Sequence, residues 1–456
     1  MEVIQKRVIE SYKVLYLTFF VLLVLFGRSL TGIYILGFRV GELAIGASLL
    51  VSLYFLIFAK RDNKYFYFGD KTFYIMKFIF ISFFITLFFT GGSLTSLYTY
   101  KSSSYIWTIS FLFMGMFVFK NMKHNEAIFK AFPYLLPLTY ILSSLYYPQF
   151  LVDFFVRFSD KFDYLKASDV FLIFVFTNIV NQKLFKKEFS YYLYLLLSSA
   201  IFLPLFLFKS KGAFLPASLF LLCELIRTRR TFLNNKIKSI ILMALCVPIF
   251  YLSTYNVGLQ LFVNNYTLEE TVAEQITASV SRASEEKNIK TTLFGGFFIM
   301  DGRLYTEEQM ANWRLQIWQD AVRDLFWEST YINPDGLNYA RIEGESRQDL
   351  FLTGFGYNGI LPSMDDSSRR GIDMKNENVH NFAVNILAKG GILQFTLFVS
   401  MYLSMIAYWY KQNKNYKLFS FITFALMTAF FDVAMESVRF PFIYFGAIAY
   451  LFNNEK

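Results

Sequence analysis

His380 stands where a polar, charged stretch gives way to an apolar run, in Val379-His380-Asn381. Imidazole, with an ordinary pKa of about 6.5, is the side chain best suited to take a proton near neutrality. A titratable group placed where a water-exposed loop enters a membrane is a candidate reacting centre. The bland alternative is a packed or solvated bystander. Asn381 next to it is a candidate either to orient the ring or to cap the helix that follows. Glu377 is the next candidate base. His124, the other histidine, lies among lysines in Lys-Asn-Met-Lys-His-Asn-Glu-Ala and reads as a solvated loop residue.

The cations around this point suggest an anionic ligand. Residues 308–328 have the spacing of an amphipathic helix, with Met310, Ile317, Trp318, Ala321 and Leu325 on one face. Arg314 falls in the middle of that apolar face, where a charge is costly unless paired. It is either a bridge to an acid or headgroup, its stem packed on Trp318, or an anion clamp. Lys209-Ser210-Lys211-Gly212 forms a short turn between two apolar runs on the side that positive-inside bias assigns to the exterior. These lysines either snorkel to the interface or face a phosphate. Arg282 and Arg303 are further cations of the same stretch. Asp-x-Asp, His/Cys and EF-hand spacings are lacking, so no metal and no cofactor is expected. Asp365-Asp366 reads as a solvated loop. Cys223 and Cys246 sit in apolar runs and read as small core hydrophobes, not as a disulfide or thiolate site.

The elements that must hold these groups are membrane helices. The 456 residues are 55% hydrophobic, include 57 Phe and 31 Tyr, and have a mean hydropathy of +0.40. Apolar runs recur near 12–27, 40–59, 73–90, 103–119, 131–147, 168–182, 190–208, 213–226, 239–254, 390–410, 418–434 and 440–452. The expected fold is therefore all-α and polytopic, with about twelve spans. None of the runs alternates as a β-barrel strand would. The first, preceded by Lys6, Arg7 and Lys13, lacks a small-residue cleavage site and reads as an uncleaved span.

Alternate loops carry basic clusters, at Lys60/Arg61/Lys64, Lys120/Lys123/Lys130, Lys183/Lys186/Lys187, Arg227/Arg229/Arg230/Lys236 and Lys411/Lys414/Lys417. Both termini are thereby expected in the cytoplasm. The same pattern accounts for the net charge of +10 without a nucleic-acid partner. Three regions follow: an N-terminal bundle over 1–254, a large and mostly helical outer loop over 255–382, and C-terminal membrane helices over 383–456. A capping box, Thr267 to Glu270, opens one expected helix of the loop.

Taken in order, Ser-Lys-Gly at 210–212, Arg314-x-x-x-Trp318, Gly354-Phe355-Gly356 and His380-Asn381 with a glycine-paired apolar helix resemble the O-antigen polymerase and O-antigen ligase superfamily. Those are multi-span glycosyltransferases of the bacterial inner membrane, and the likeness covers roughly residues 195–410. Where the family has arginine in its first motif, this chain has Lys211, which keeps the charge and loses the bidentate fork.

The resemblance implies a sugar donor carried on undecaprenyl pyrophosphate, inverting transfer on the periplasmic side, and a chain-length regulator protein as partner. Arg314, with Lys211, Lys209, Arg282 and Arg303, would clamp the pyrophosphate. His380 would be the base, and Asn381, Trp318, Gly354 and Gly356 would support it. The Phe/Tyr/Ile/Lys-rich composition and the lysine in the first motif point to polymerase, with ligase as the alternative. A transporter or flippase is the rival class. Transporters keep ionisable groups near the membrane midplane, whereas these spans are nearly free of charge.

Overall fold

Where its residues are described, each apolar run of the sequence is helical over most of its length, the conformation in which an apolar segment satisfies its backbone polar groups internally. The computed structural model describes residues 2–58, 69–120, 131–141, 148–160, 166–185, 187–267, 296–300, 302–307, 309–326, 331–332, 338–339, 350–364, 369, 378–432 and 434–454. In chain order these form α1 (Glu2–Thr31), the hairpin β1 (Tyr34–Ile35) and β2 (Phe38–Arg39), α2 (Val40–Phe58), α3 (Gly69–Thr90) and α4 (Leu97–Ser102). There follow α5 (Ser104–Trp107), α6 (Ser110–Lys120), α7 (Phe132–Tyr140), α8 (Gln149–Phe158), α9 (Ala167–Leu184), α10 (Glu188–Lys209) and α11 (Lys211–Arg227). Then come α12 (Arg229–Asn234), α13 (Lys236–Thr267), β3 (Phe297–Met300), β4 (Arg303–Thr306) and α14 (Gln309–Phe326). The chain ends with β5 (Tyr331–Ile332), β6 (Asn338–Tyr339), α15 (Leu350–Thr353), a 3-10 turn at Pro362–Met364, α16 (Phe382–Asn413), α17 (Lys417–Phe431) and α18 (Arg439–Asn454).

Among the described residues, five helical stretches are long and apolar enough to cross a membrane: Glu10–Thr31, Gly69–Thr90, Glu188–Lys209, Lys236–Val257 and Phe382–Asn413. The run at 103–119 is divided between α5 and α6. The stretch after 147, expected to be loop, contains α8, a helix with a narrow polar stripe where Gln149 Nε2 donates to Asp153. Among the described residues of the large loop, two antiparallel hairpins, β3 with β4 and β5 with β6, accompany the expected helix α14.

The chain divides into two compact units that do not follow sequence order. The first gathers Met1–Phe73, Trp107–Leu261 and Tyr402–Lys456. Its centre is α9, whose residues 167–181 are all buried, as befits a helix apolar on every side. Small residues let helices approach closely here: a Cβ added at Gly115 of α6 would meet Ala449 Cβ of α18 at 2.9 Å. At the first turns of α9 and α18, Arg439 Nε lies 2.6 Å from Asp169 Oδ2, with both side chains buried. Between α1 and α2 the β1–β2 hairpin is tied to the end of α8 by an ion pair of Arg39 with Asp160.

The second unit gathers Tyr74–Ile106 and Phe262–Met401. Its membrane-type helix, residues 74–90 of α3, leaves Phe78, Ile81, Phe84 and Phe88 exposed on one broad face and buries Met76, Ile79 and Phe83. On the buried side, Gln394 of α16 is fully enclosed and its amide is spent on partners within the unit. Tyr105 Oη donates to its Oε1 at 2.6 Å, and its Nε2 donates to Thr86 Oγ1 at 3.2 Å and to Tyr357 Oη at 2.5 Å. Burial pushes the Tyr357 hydroxyl up to about 12, so it stays protonated at neutral pH.

Candidate functional site

The groups around His380 are assembled by one broken helix and one amphipathic helix. Helix α16 begins directly after His380-Asn381. Asn381 is its N-cap, as one of the two roles expected for it: its Oδ1 accepts from Val384 N at 3.0 Å, and its backbone carbonyl from Asn385 N at 2.9 Å. His380 itself has φ 53, the left-handed conformation, which turns the chain sharply into that helix. The helix then breaks at Gly391, where φ is 65.

The Gly354-Phe355-Gly356 segment fits into this break. Phe355 N donates to Ala388 O at 2.8 Å and Gly356 N to Lys389 O at 3.0 Å, satisfying carbonyls that the break would orphan. Both glycines have positive φ, 71 at Gly354 and 78 at Gly356. A Cβ at Gly354 would sit 2.6 Å from Lys389 O, and one at Gly391 would sit 2.3 Å from Leu352 O. Gly354 and Gly391, remote in the sequence, thus serve one backbone-to-backbone contact. We expect Gly391→Ala to destabilise the purified protein by about 1–3 kcal/mol, read as a fall in Tm. Gly46→Ala in α2, where an added Cβ meets nothing within 4 Å, should leave Tm unchanged or raise it.

Helix α14 lies against the His380 segment as its apolar face predicts. Ile317 and Ala321 are buried in a cluster with Leu361, Met364, Val379 and Ala388. Leu325 is also buried, and the side chain of Met310 lies outside the described residues. Two tryptophans fix the register: Trp318 Nε1 donates to Val379 O at 2.7 Å, and the Trp313 ring packs on the His380 ring with centroids 5.3 Å apart. Arg314, half-buried, directly follows Trp313 in α14, one turn before Trp318. Sequence reasoning placed Arg314, Trp318 and His380 in one site and did not single out Trp313, although it adjoins Arg314.

The other cations are distributed differently. Arg303 is committed to Asp320, which also receives Arg369 Nη2 at 2.7 Å, so this carboxylate is held between two guanidiniums. Lys209 and Lys211 belong to the other compact unit. Their turn is tighter than the four residues expected, because α10 runs through Lys209, α11 starts at Lys211, and Ser210 alone is extended. Lys209 therefore sits at a helix C-terminus, which favours a cation, and Lys211 at a helix N-terminus, which favours an anion. Gly212 is required there, since a Cβ would fall 2.5 Å from Phe431 Cβ. Arg282, Glu377, Asp365-Asp366 and the capped helix expected after Thr267 lie outside the described residues.

One further charge escaped the sequence reading. Lys389, buried in α16 one residue before the glycine pair, donates from Nζ to Ser102 Oγ at 2.8 Å and to Ser102 O at 3.3 Å. A single lysine within an apolar run was its only signal. No protein-family model matches the chain, and no curated protein matches it.

Proposed function

We propose that this chain is a glycosyltransferase that joins lipid-linked saccharide repeat units, an O-antigen type polymerase. The observation that supports it is the docking of the Arg314 helix on the His380 turn through Trp313 and Trp318. Those contacts bring the helix that carries Arg314 against the turn that carries His380, with aromatic rings beside them of the kind that sugar faces stack on.

The chemistry runs as follows. The acceptor hydroxyl oxygen attacks the anomeric carbon and forms the new glycosidic bond. The bond from that carbon to the pyrophosphate oxygen breaks, and its electron pair leaves with undecaprenyl pyrophosphate. His380 takes the hydroxyl proton. Arg314 stabilises the charge growing on the leaving group, a term commonly worth several kcal/mol in a water-poor site. Attack opposite the leaving group inverts the anomeric centre.

The fold reading that goes with this is about twelve spans in the bacterial inner membrane, with both termini cytoplasmic and residues 255–382 periplasmic. Reporter fusions after Arg229 and after Glu286 should report the cytoplasm and the periplasm respectively. A cytoplasmic signal at Glu286 would overturn the site assignment.

The direct test uses purified protein and undecaprenyl-pyrophosphate-linked repeat units, with and without EDTA. New glycosidic linkages at an equal rate in both support the proposal. A transporter makes none. In a deletion strain, a single repeat left on the lipid A–core indicates a polymerase, and loss of all attachment indicates a ligase.

A further inference from the structure

Strand β3 reads Phe-Phe-Ile-Met, and all four side chains are exposed, by 71, 41, 75 and 41% in order. Successive side chains of a strand point to opposite faces, so both faces of this two-stranded ribbon carry bare, bulky apolar groups. A protein partner or a second copy would cover one face or one edge. A fluid apolar phase covers both.

The ribbon is also bolted to a unit that owns a lipid-type surface. Main-chain atoms of Leu304 in β4 are held by Gln316 and Gln319 of α14: Gln316 Nε2 and Gln319 Nε2 donate to Leu304 O, and Leu304 N donates to Gln319 Oε1. In the same unit, Asn358 Nδ2, four residues before the Pro362–Met364 turn that packs with α14 in one apolar cluster, donates to Thr90 O at the end of α3. The exposed apolar face of α3 continues from there.

We infer that the β3–β4 hairpin is a membrane-surface anchor that inserts its Phe-Phe-Ile-Met strand into the bilayer beside the α14–His380 site. Its depth is limited. Among the described residues no strand pairs with the outer edge of β3, and hydrocarbon cannot satisfy bare backbone groups, so the strand rests among headgroups and the first carbons of the acyl chains. This inference does not depend on glycosyl transfer.

The test uses the full chain in nanodiscs of phosphatidylethanolamine and phosphatidylglycerol, with Cys223→Ala and Cys246→Ala removing the native thiols. An environment-sensitive fluorophore is attached at Ile299→Cys, at Met300→Cys on the opposite face, or at Arg323→Cys on the exposed side of α14 as control. Emission at 299 and 300 should shift to the blue and be quenched severalfold more by a nitroxide at acyl carbon 5 than by one at carbon 12. Emission at 323 should stay aqueous. Aqueous, unquenched emission at 299 overturns the inference. So does a blue shift that lipid nitroxides leave unchanged while energy transfer between differently labelled copies appears, which would assign the face to a second copy.

Discussion

Replacing His380 by alanine is expected to lower the transfer rate by about two to four orders of magnitude, the usual contribution of a positioned general base, while donor binding is unchanged. The reason lies in the geometry. His380 is not in the apolar cluster that docks α14, and the Trp313 ring packs on its imidazole. Removing the imidazole therefore leaves the Trp318 anchor on Val379 O in place. The pH profile gives an independent readout. A base must be neutral to accept a proton, so the wild-type rate should fall tenfold per pH unit below the ordinary imidazole range, about 6.5. The variant should lose that limb. Equal rates for wild type and His380→Ala would move the base elsewhere, with Glu377 the next residue to replace.

Arg314→Ala should also be severe, with a loss of about 10²–10³-fold if the guanidinium stabilises the departing pyrophosphate. Here, unlike the histidine variant, donor affinity falls as well. Arg314→Lys should also be poor, because a point charge replaces a planar fork that matches two phosphate oxygens. Lys211→Arg should be tolerated or improved, since it restores the guanidinium to a helix N-terminus where an anion is already favoured. Full activity of Arg314→Ala at a normal protein level would make this arginine a packing residue whose stem fills the space beside Trp313.

How much of this was legible beforehand varied with the range of the interaction responsible. The helices were, because an apolar run in a membrane has few alternatives to helix. So was the cap at Asn381, a local contact spanning three residues. The amphipathic spacing of α14 named the buried Ile317 and Ala321 but not the surface they meet, which lies some 60 positions further along the chain. Trp313 could not be chosen over its neighbours without that surface. The β3–β4 hairpin was missed despite a local signal, since Asp301-Gly302 between two apolar segments is the usual two-residue hairpin turn. Lys389 and Gln394 were hidden for a different reason. A single polar residue in a hydrophobic run barely moves its average, and the partners that make such a group affordable, Ser102, Tyr105 and Thr86, come from a remote part of the sequence.

The break at Gly391 also sets a length scale. Residues 391–413 of α16, at about 1.5 Å each, measure roughly 33 Å and suffice to cross a hydrocarbon layer of about 30 Å without help. The stub before the break, residues 382–390, adds at most about 14 Å. Since a headgroup layer is only about 5–8 Å deep, a stub of that length carries His380 no more than about 6–9 Å beyond it. On the proposed function, the imidazole would then meet only the sugars nearest the lipid, so the bond broken would be selected by its distance from the membrane and repeat units of quite different composition could pass through one site.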